Sequence, residues 1–250
     1  LIKWIKKINP DIVHLHVLNG NYVNMYKLLN FLKRNNYKTV LTLHAELMYT
    51  GKCSHSYDCD KWKTGCGRCP QKYAPPVSWF FDRTSSNWRK LKLLYDGFSN
   101  LILVAVSPWL QLRSKESPFF KQHNILCILN GINTEVFHPV DFSNLSTKYR
   151  IGDCKIILFI TSLFKYKSKG EYYLVELAKR LDKYPNIKIM AVGIDKNSNI
   201  LWQNIIPVTY LKDQKMLAQY YSMADLTIIL SQRETFSMVC AESLACGTPV

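Results

Sequence analysis

The hydrophobic pattern of the chain alternates between short apolar runs and segments with apolar residues at helical spacing. Short apolar runs predict buried strands, and apolar positions three and four residues apart predict helices that cover a sheet. In the first half, this pattern predicts strands at 12–17, 39–44, 101–106 and 125–129, and helices at 24–32 and 80–95. A further helix is predicted to begin at Ser107-Pro108, because Ser favours the N-cap and Pro the first helical position.

The same alternation restarts after a polar stretch at 131–153, which is predicted to be a linker. The predicted strands are 155–161, 187–192 and 226–230, and the predicted helices are 169–181, 212–224 and about 236–245. Alternating strands and helices indicate parallel sheets covered on both faces. We therefore expect an α/β protein with two doubly wound, Rossmann-like domains facing a cleft, at residues 1–138 and 139–250.

Composition is that of a globular protein, with 48% hydrophobic and 20% charged residues among 250. The net charge of +15 favours anionic partners such as nucleotides, phosphates, anionic lipids or nucleic acid, although a dispersed basic surface explains it equally well. No apolar run approaches the roughly 18 residues that span a bilayer. Because the chain starts without Met and stops within a pattern, we expect a fragment truncated at both ends.

Glu234 and Glu242 are the main candidate site residues. They could be a capping acid and a solvated helix position, but small and apolar residues surround Glu242, where an acid needs a partner. Ligands of parallel sheets bind beyond the strand ends, and Glu234 follows such an end, as His44 and Gly193 do. Free backbone N–H groups at residues 236–238 would hold a phosphate, and the carboxylates would accept hydrogen bonds from sugar hydroxyls.

Four of the eight cysteines lie close together in a polar, Cys-rich loop at residues 45–76. The spacing of Cys66 and Cys69 suits a tetrahedral zinc site, which Cys53 and Cys59 would complete, with His55 as a reserve ligand. A structural zinc would stabilise a loop with little apolar content of its own. Two disulfides, free thiols or a redox pair are the alternatives.

Two further clusters of residues have structural explanations beside the functional ones. His14 and His16 alternate on a predicted strand near His44, which allows a metal site but favours packing or hydrogen bonding. Aromatic and basic side chains interleave at residues 79–90. They fit base stacking, or a helix that covers the sheet or rests on an anionic membrane.

These motifs carry a family resemblance. Glu234 through Glu242, followed by Ser-Leu-Ala-Cys-Gly-Thr-Pro-Val250, resembles the donor-site motif of family 4 glycosyltransferases, which have the GT-B fold. Lys169-Gly170 and Asn130-Gly131 resemble further segments of that family. The Cys-rich loop resembles a subgroup that makes colanic-acid-like and capsular polysaccharides.

The resemblance implies a retaining, cytoplasmic hexosyltransferase that needs no catalytic metal. It would move a sugar from a UDP- or GDP-linked donor to a polysaccharide or lipid-linked oligosaccharide, with peripheral contact to the anionic inner membrane face and none to nucleic acid. Glu234 would hold the donor sugar, Glu242 the ribose, and the amides of Phe236, Ser237 and Met238 the sugar or phosphate. Lys169 would neutralise the leaving diphosphate, and His44 would position the donor sugar.

Three positions depart from the family pattern. Phe164 stands where an Arg is common, Ala45 followed by Glu46 stands where the subgroup has Asp, and Ser237 replaces a common Gly. Two alternative functions follow from the same residues. One is a zinc-containing, basic nucleic-acid-binding module, against which the two carboxylates argue. The other is a catalytically inactive, binding-only transferase domain.

Overall fold

A computed structural model describes residues 1–18, 22–74, 80–161, 170–194 and 202–250. The chain divides into two compact units, Leu1–Asn130 and Gly131–Val250. The predicted boundary after residue 138 lies inside the second unit, where Phe137 is buried in the core. Across the described ranges, no helix has the length and apolar content that crossing a bilayer needs.

The first unit is built on a four-stranded parallel sheet in the order β1-β2-β3-β4. Its strands are β1 (Ile12–His16), β2 (Lys38–Leu43), β3 (Leu101–Ala105) and β4 (Asn124–Cys127). Its helices are α1 (Ile2–Ile8), α2 (Met25–Arg34), α3 (Thr84–Tyr95) and α4 (Pro108–Lys115), with short 3-10 turns at Glu46–Tyr49 and Lys61–Lys63.

Side-chain capping explains where two helices of this unit, α2 and α4, begin. Asn24 accepts a hydrogen bond from the backbone N–H of Lys27 (3.0 Å), and α2 then buries Leu28 and Leu32 in the core. Ser107 accepts from the N–H of Leu110 (3.2 Å) with Pro108 at the first helical position, as predicted. The strands predicted at 12–17, 39–44, 101–106 and 125–129 are confirmed to within a few residues.

The Cys-rich loop contains more buried apolar surface than its polar sequence indicates. Tyr49 and Trp62 are fully buried, and Tyr49 packs edge-on against Phe120 with ring centroids 5.8 Å apart. Glu46 is also fully buried, where it accepts hydrogen bonds from Arg113 Nε (2.6 Å) and from the N–H of Ser56 (2.6 Å). A few aromatic residues and one buried ion pair therefore anchor a loop that was expected to lack a core.

The second unit has a four-stranded parallel sheet in the order β7-β6-β5-β8. Its strands are β5 (Lys155–Ile160), β6 (Ile187–Val192), β7 (Ile205–Val208) and β8 (Leu226–Ile228). Its helices are α5 (Ser143–Tyr149), α6 (Glu171–Leu181), α7 (Gln214–Met223) and α8 (Met238–Ala245).

The sequence missed three elements. α1 and β7 were not predicted, and the expected linker at 131–153 contains α5, whose Leu145 is buried. β7 is short and contains Pro207, which argues against a strand in the middle of a sheet. It lies at the edge of the sheet, where a missing N–H is tolerated.

Gly193 ends β6 in a conformation that only glycine tolerates there. Its φ is +92°, and a Cβ atom would lie 1.6 Å from the carbonyl oxygen of Thr161 at the end of β5. The N–H of Gly193 also donates to the carbonyl of Val208 (2.8 Å). This glycine thus lets the carboxyl ends of β5, β6 and β7 approach one another.

We expect Gly193→Ala to destabilise the second unit far more than Gly152→Ala. Gly152 also has a positive φ (+56°), but a Cβ there would meet nothing within 4 Å. Its substitution should cost only the left-handed backbone strain of about 1–2 kcal/mol, whereas Gly193→Ala should exceed about 4 kcal/mol. Thermal unfolding followed by circular dichroism compares the two variants, and equal losses would refute the close approach at Gly193.

Candidate functional site

A cavity of about 360 Å³ lies in the second unit, beyond the carboxyl ends of β5, β6 and β8. Thr161 follows β5, Val192 ends β6, and Ile228 ends β8, and all three line it. Parallel α/β sheets bind ligands at this edge, because the loops that follow the strands gather there. The other described residues that line it are Phe137, Phe159, Ile160, Tyr210, Leu211, Lys212, Gln214, Leu217, Ile229, Leu230, Ser231, Glu234, Ser237, Met238, Val239 and Glu242.

Glu242 projects from α8 into this cavity and is partly buried. The hydroxyl of Tyr221, a fully buried residue of α7, donates a hydrogen bond to Glu242 Oε2 (2.8 Å). Burial raises the pKa of the Glu242 carboxyl, and the hydrogen bond from Tyr221 partly offsets this rise. Burial and the neighbouring carboxylate also raise the pKa of Tyr221, so its hydroxyl stays a donor.

Glu234 follows β8 and lines the same cavity. The structure therefore brings the two predicted carboxylates to one site, although seven residues separate them in the sequence. One carboxylate enters from a loop and the other from a helix. Such a pair can accept several hydrogen bonds from the hydroxyls of a single ligand.

The start of α8 differs from the prediction. Ser237 is the N-cap and accepts a hydrogen bond from the N–H of Cys240 (3.2 Å), so the helix begins at Met238 rather than near Phe236. Ser237 has φ −84° and ψ 107°, an extended conformation that needs no glycine. The first helical amides, those of Met238 and Val239, belong to residues that line the cavity, whereas Phe236 is not among the described lining residues.

Sequence reasoning missed several polar residues of the site, of which Tyr221, Tyr210 and Lys212 are the most informative. Tyr221 is the partner that Glu242 was expected to need, but a Tyr within a helical pattern gives no sign of this role. Tyr210 and Lys212 line the cavity from the segment between β7 and α7. Tyr210 was overlooked because β7 itself was not predicted, whereas Lys212 was placed at the start of the predicted helix 212–224 and α7 begins only at Gln214.

Lys169 lies outside the described residues, as do Phe164 and the rest of 162–169. The neighbouring Gly170 is described, and it caps α6 with a φ of +90°. A Cβ at Gly170 would lie 2.3 Å from the Cβ of Leu230, a residue of the cavity wall. Helix α6 therefore begins next to that wall.

His44 belongs to the first unit, where it follows β2. His16 Nδ1 and His44 Nε2 are 3.0 Å apart, and His14 Nε2 lies 2.8 Å from Thr42 Oγ1. The hydrogen-bonding role expected of His14 and His16 is confirmed. Burial, and secondarily the neighbouring imidazoles, lower the pKa of His16 and His44, so these two rings favour the neutral form.

Glu46 does not act as a substitute for the acid expected after His44. Its carboxylate is fully buried and is held by Arg113, Ser56 and Tyr49. These contacts give Glu46 a structural role within the Cys-rich loop. The departure at Ala45 from the subgroup pattern therefore has no compensation from Glu46.

The four loop cysteines line a second, much smaller cavity, of about 10 Å³, in the first unit. Cys53, Cys59, Cys66 and Cys69 are all partly buried free thiols. Within the part of the chain that the structure describes, no three or more His, Cys, Asp or Glu side chains are arranged to hold a metal ion. The thiols thus share a cavity without adopting coordination geometry.

Residues 141–250 match the family model described as Glycosyl transferases group 1. The Escherichia coli (strain K12) protein WcaC, assigned to colanic acid biosynthesis as a glycosyl transferase, is 25% identical over 96% of this chain and 59% of its own length. The D-inositol 3-phosphate glycosyltransferase of Mycobacteroides abscessus is 28% identical over 48% of this chain and 29% of its own.

Solved structures share the fold. Anabaena Alr3699/HepE in complex with UDP superposes with a TM-score of 0.65 and 17% identity, covering 99% of this chain and 61% of the other. Sucrose-phosphate synthase from Thermosynechococcus elongatus superposes with a TM-score of 0.63 and 18% identity, covering 99% and 57%. The chain therefore spans about three fifths of the length of these proteins.

The parallel sheets of both units and these structural relatives establish the predicted GT-B fold. The sequence match covers the part of the chain that forms the carboxylate-lined cavity. The chain thus has the GT-B fold and is similar to glycosyltransferases, and its residues 141–250 match the glycosyl transferases group 1 model.

Proposed function

We propose that the cavity of the second unit binds a nucleotide-diphosphate-sugar, and that the complete protein transfers the sugar to a glycan or lipid-linked acceptor with retention of configuration. The observation that carries the proposal is the placement of Glu234 and Glu242 in one cavity beside the N-terminus of α8. HepE of Anabaena has been solved with UDP and with UDP-glucose, which supports this donor class.

The partly buried carboxylate of Glu242 is suited to binding the hydroxyls of a ribose. Tyr221 engages Oε2 of Glu242, which fixes the carboxylate and leaves Oε1 for a ligand hydroxyl. A buried charge with one fixed partner gains more from a second donor than an exposed carboxylate does. We assign the ribose hydroxyls to Glu242 for this reason.

The other groups divide the rest of the donor between them. Glu234, in the loop after β8, would accept hydrogen bonds from the sugar hydroxyls. The amides of Met238 and Val239, at the positive end of the α8 dipole, would hold phosphate or sugar oxygens. Neutralisation of the leaving diphosphate by Lys169 rests on the sequence resemblance, as does positioning of the sugar by His44.

We further propose that the acceptor is reached at an anionic membrane surface on the cytoplasmic side. Phe80 and Phe81 are 85% and 74% exposed just before α3, which carries Arg89, Lys90 and Lys92. Exposed aromatic residues beside basic ones fit lipid headgroups better than water. The same combination of side chains is also suited to nucleic acid, and binding assays with lipid vesicles and with nucleic acid distinguish the two ligands.

Vesicle sedimentation tests the membrane contact. Anionic phosphatidylglycerol vesicles should sediment the full-length protein, neutral phosphatidylcholine vesicles should not, and substitution of both Phe80 and Phe81 by Ser should release it. Substitution of Tyr184, an exposed aromatic residue of the second unit, is the matched control. Retention of the Phe80/Phe81 variant on vesicles, or stronger binding to single-stranded DNA than to lipid, would contradict the proposal.

Glu242→Ala should weaken UDP binding by about 10- to 100-fold, which corresponds to the roughly 1.5–3 kcal/mol of hydrogen bonding to a charged group. Glu242→Ala also leaves the buried hydroxyl of Tyr221 without its acceptor. Glu242→Gln is therefore tested as well, because its side chain keeps a hydrogen-bond acceptor and removes the charge. Glu176→Ala is the control, because Glu176 is ion-paired with Lys179 on α6 and does not line the cavity. Calorimetry with full-length protein measures the affinities, and equal values for Glu242→Gln and Glu176→Ala would refute the ribose assignment.

Donor affinity should also depend on the protonation of Glu242. Its pKa is raised by burial above the ordinary value of 4.5, so affinity should fall as the pH is lowered through that raised pKa and the carboxylate is neutralised. Tyr221→Phe removes the bond that lowers this pKa, so the fall should occur at higher pH than in the wild type. Glu242→Gln corrects for titration of the nucleotide itself, and superimposable pH profiles of the wild type and Tyr221→Phe would contradict the coupling.

A further inference from the structure

We propose that Cys53, Cys59, Cys66 and Cys69 bind one structural zinc ion in the first unit. All four line a single cavity of about 10 Å³. A space of roughly 10–15 Å³ holds one small particle such as a water. Four sulfurs around a space of this size match the composition of a closed, structural zinc site.

The backbone around Cys66 and Cys69 forms a tight turn. Gly65 and Gly67 have φ of +153° and +147°, and Arg68 has φ of +43°. This succession of left-handed or glycine-type conformations curls the chain, as a Cys-x-x-Cys knuckle must curl to aim two sulfurs at one ion. An Arg in the left-handed region costs energy, so the turn is kept against a local preference.

An amide already points at one of the sulfurs. The N–H of Gly51 donates to Cys66 Sγ at 3.3 Å. A Cβ at Gly51 would lie 2.9 Å from the Cβ of Cys66 and 2.5 Å from the carbonyl of Thr84, so only glycine allows this approach. Amide donors to sulfur stabilise a thiolate more than a thiol, and such outer contacts support metal ligands.

Two lysines supply the charge that such a site needs. Lys52 and Lys61 both line the cavity, and Lys52 is only 6% exposed. Lys52 donates to the carbonyls of Gln71 (3.1 Å), Lys72 (2.8 Å) and Ala74 (2.9 Å), and so ties down the chain after Cys69. Zinc with four thiolates carries a double negative charge, which two ammonium groups would offset.

Metal binding would change the thiols and leave the loop in place. Each S–H gives its proton to the solvent, and the four thiolates coordinate Zn²⁺ without any redox change. Because the thiols lack coordination geometry in the described structure, the side chains must turn about their Cα–Cβ bonds to bring each sulfur to about 2.3 Å from the ion. Disulfide pairing of the same cysteines would instead require an oxidant, and it is the main competing outcome.

The test uses the full-length protein purified without chelator under reducing conditions. Metal analysis should return about one zinc ion per chain. Cys66→Ser should lose most of that zinc, whereas Cys127→Ser should keep it, because Cys127 is an exposed cysteine of β4 in the same unit. Absence of zinc, or an equal zinc content in the two variants, would overturn the proposal.

Thiol labelling keeps the proposal testable if Cys66→Ser fails to fold. In the wild-type protein, the four loop cysteines should resist alkylation until a chelator is added, while Cys127 should react in both conditions. Mass spectrometry assigns each label. Loop cysteines that react equally with and without chelator, or that are recovered as two disulfides, would refute zinc ligation.

Discussion

The burial of the Glu242 carboxylate is the constraint on which the account of the second unit depends. A carboxylate that is removed from water loses hydration, and this loss raises the pKa of Glu242. One hydrogen bond from the buried hydroxyl of Tyr221 offsets part of it. A charge kept in such a position at the edge of a cavity is typical of a binding group.

Close backbone approaches shape the wall of the cavity that contains this carboxylate. Gly193 brings the end of β6 against Thr161 at the end of β5, and Gly170 brings the start of α6 against Leu230. Thr161 and Leu230 both line the cavity. The shape of the cavity therefore depends on positions where only glycine fits, and not only on the groups that would touch a ligand.

Much of the architecture follows from the alternation of apolar runs, because parallel strands buried on both faces leave a strong signal. β7 was not predicted because it is short and contains Pro207, and Tyr210, which follows it, was therefore missed as well. Glu242 was identifiable because an acid among small and apolar neighbours needs a partner, and Glu234 because it follows a predicted strand end. Their partner Tyr221 was not, since a fully buried Tyr and a surface Tyr look alike in a helical pattern. The start of α8 was misplaced because capping by Ser237 is a matter of local geometry.

The two units depend on different chemistry. The Cys-rich loop of the first unit is held by the ion pair of Glu46 with Arg113 and by buried aromatic rings, so a zinc site there would reinforce a loop that already has an anchor. The second unit presents the carboxylates on which the proposed donor site rests. A crystal structure of the full-length protein grown with UDP tests that site most directly. We expect the ribose hydroxyls within hydrogen-bond distance of Glu242, and ordered UDP bound away from this cavity would contradict the proposed donor site.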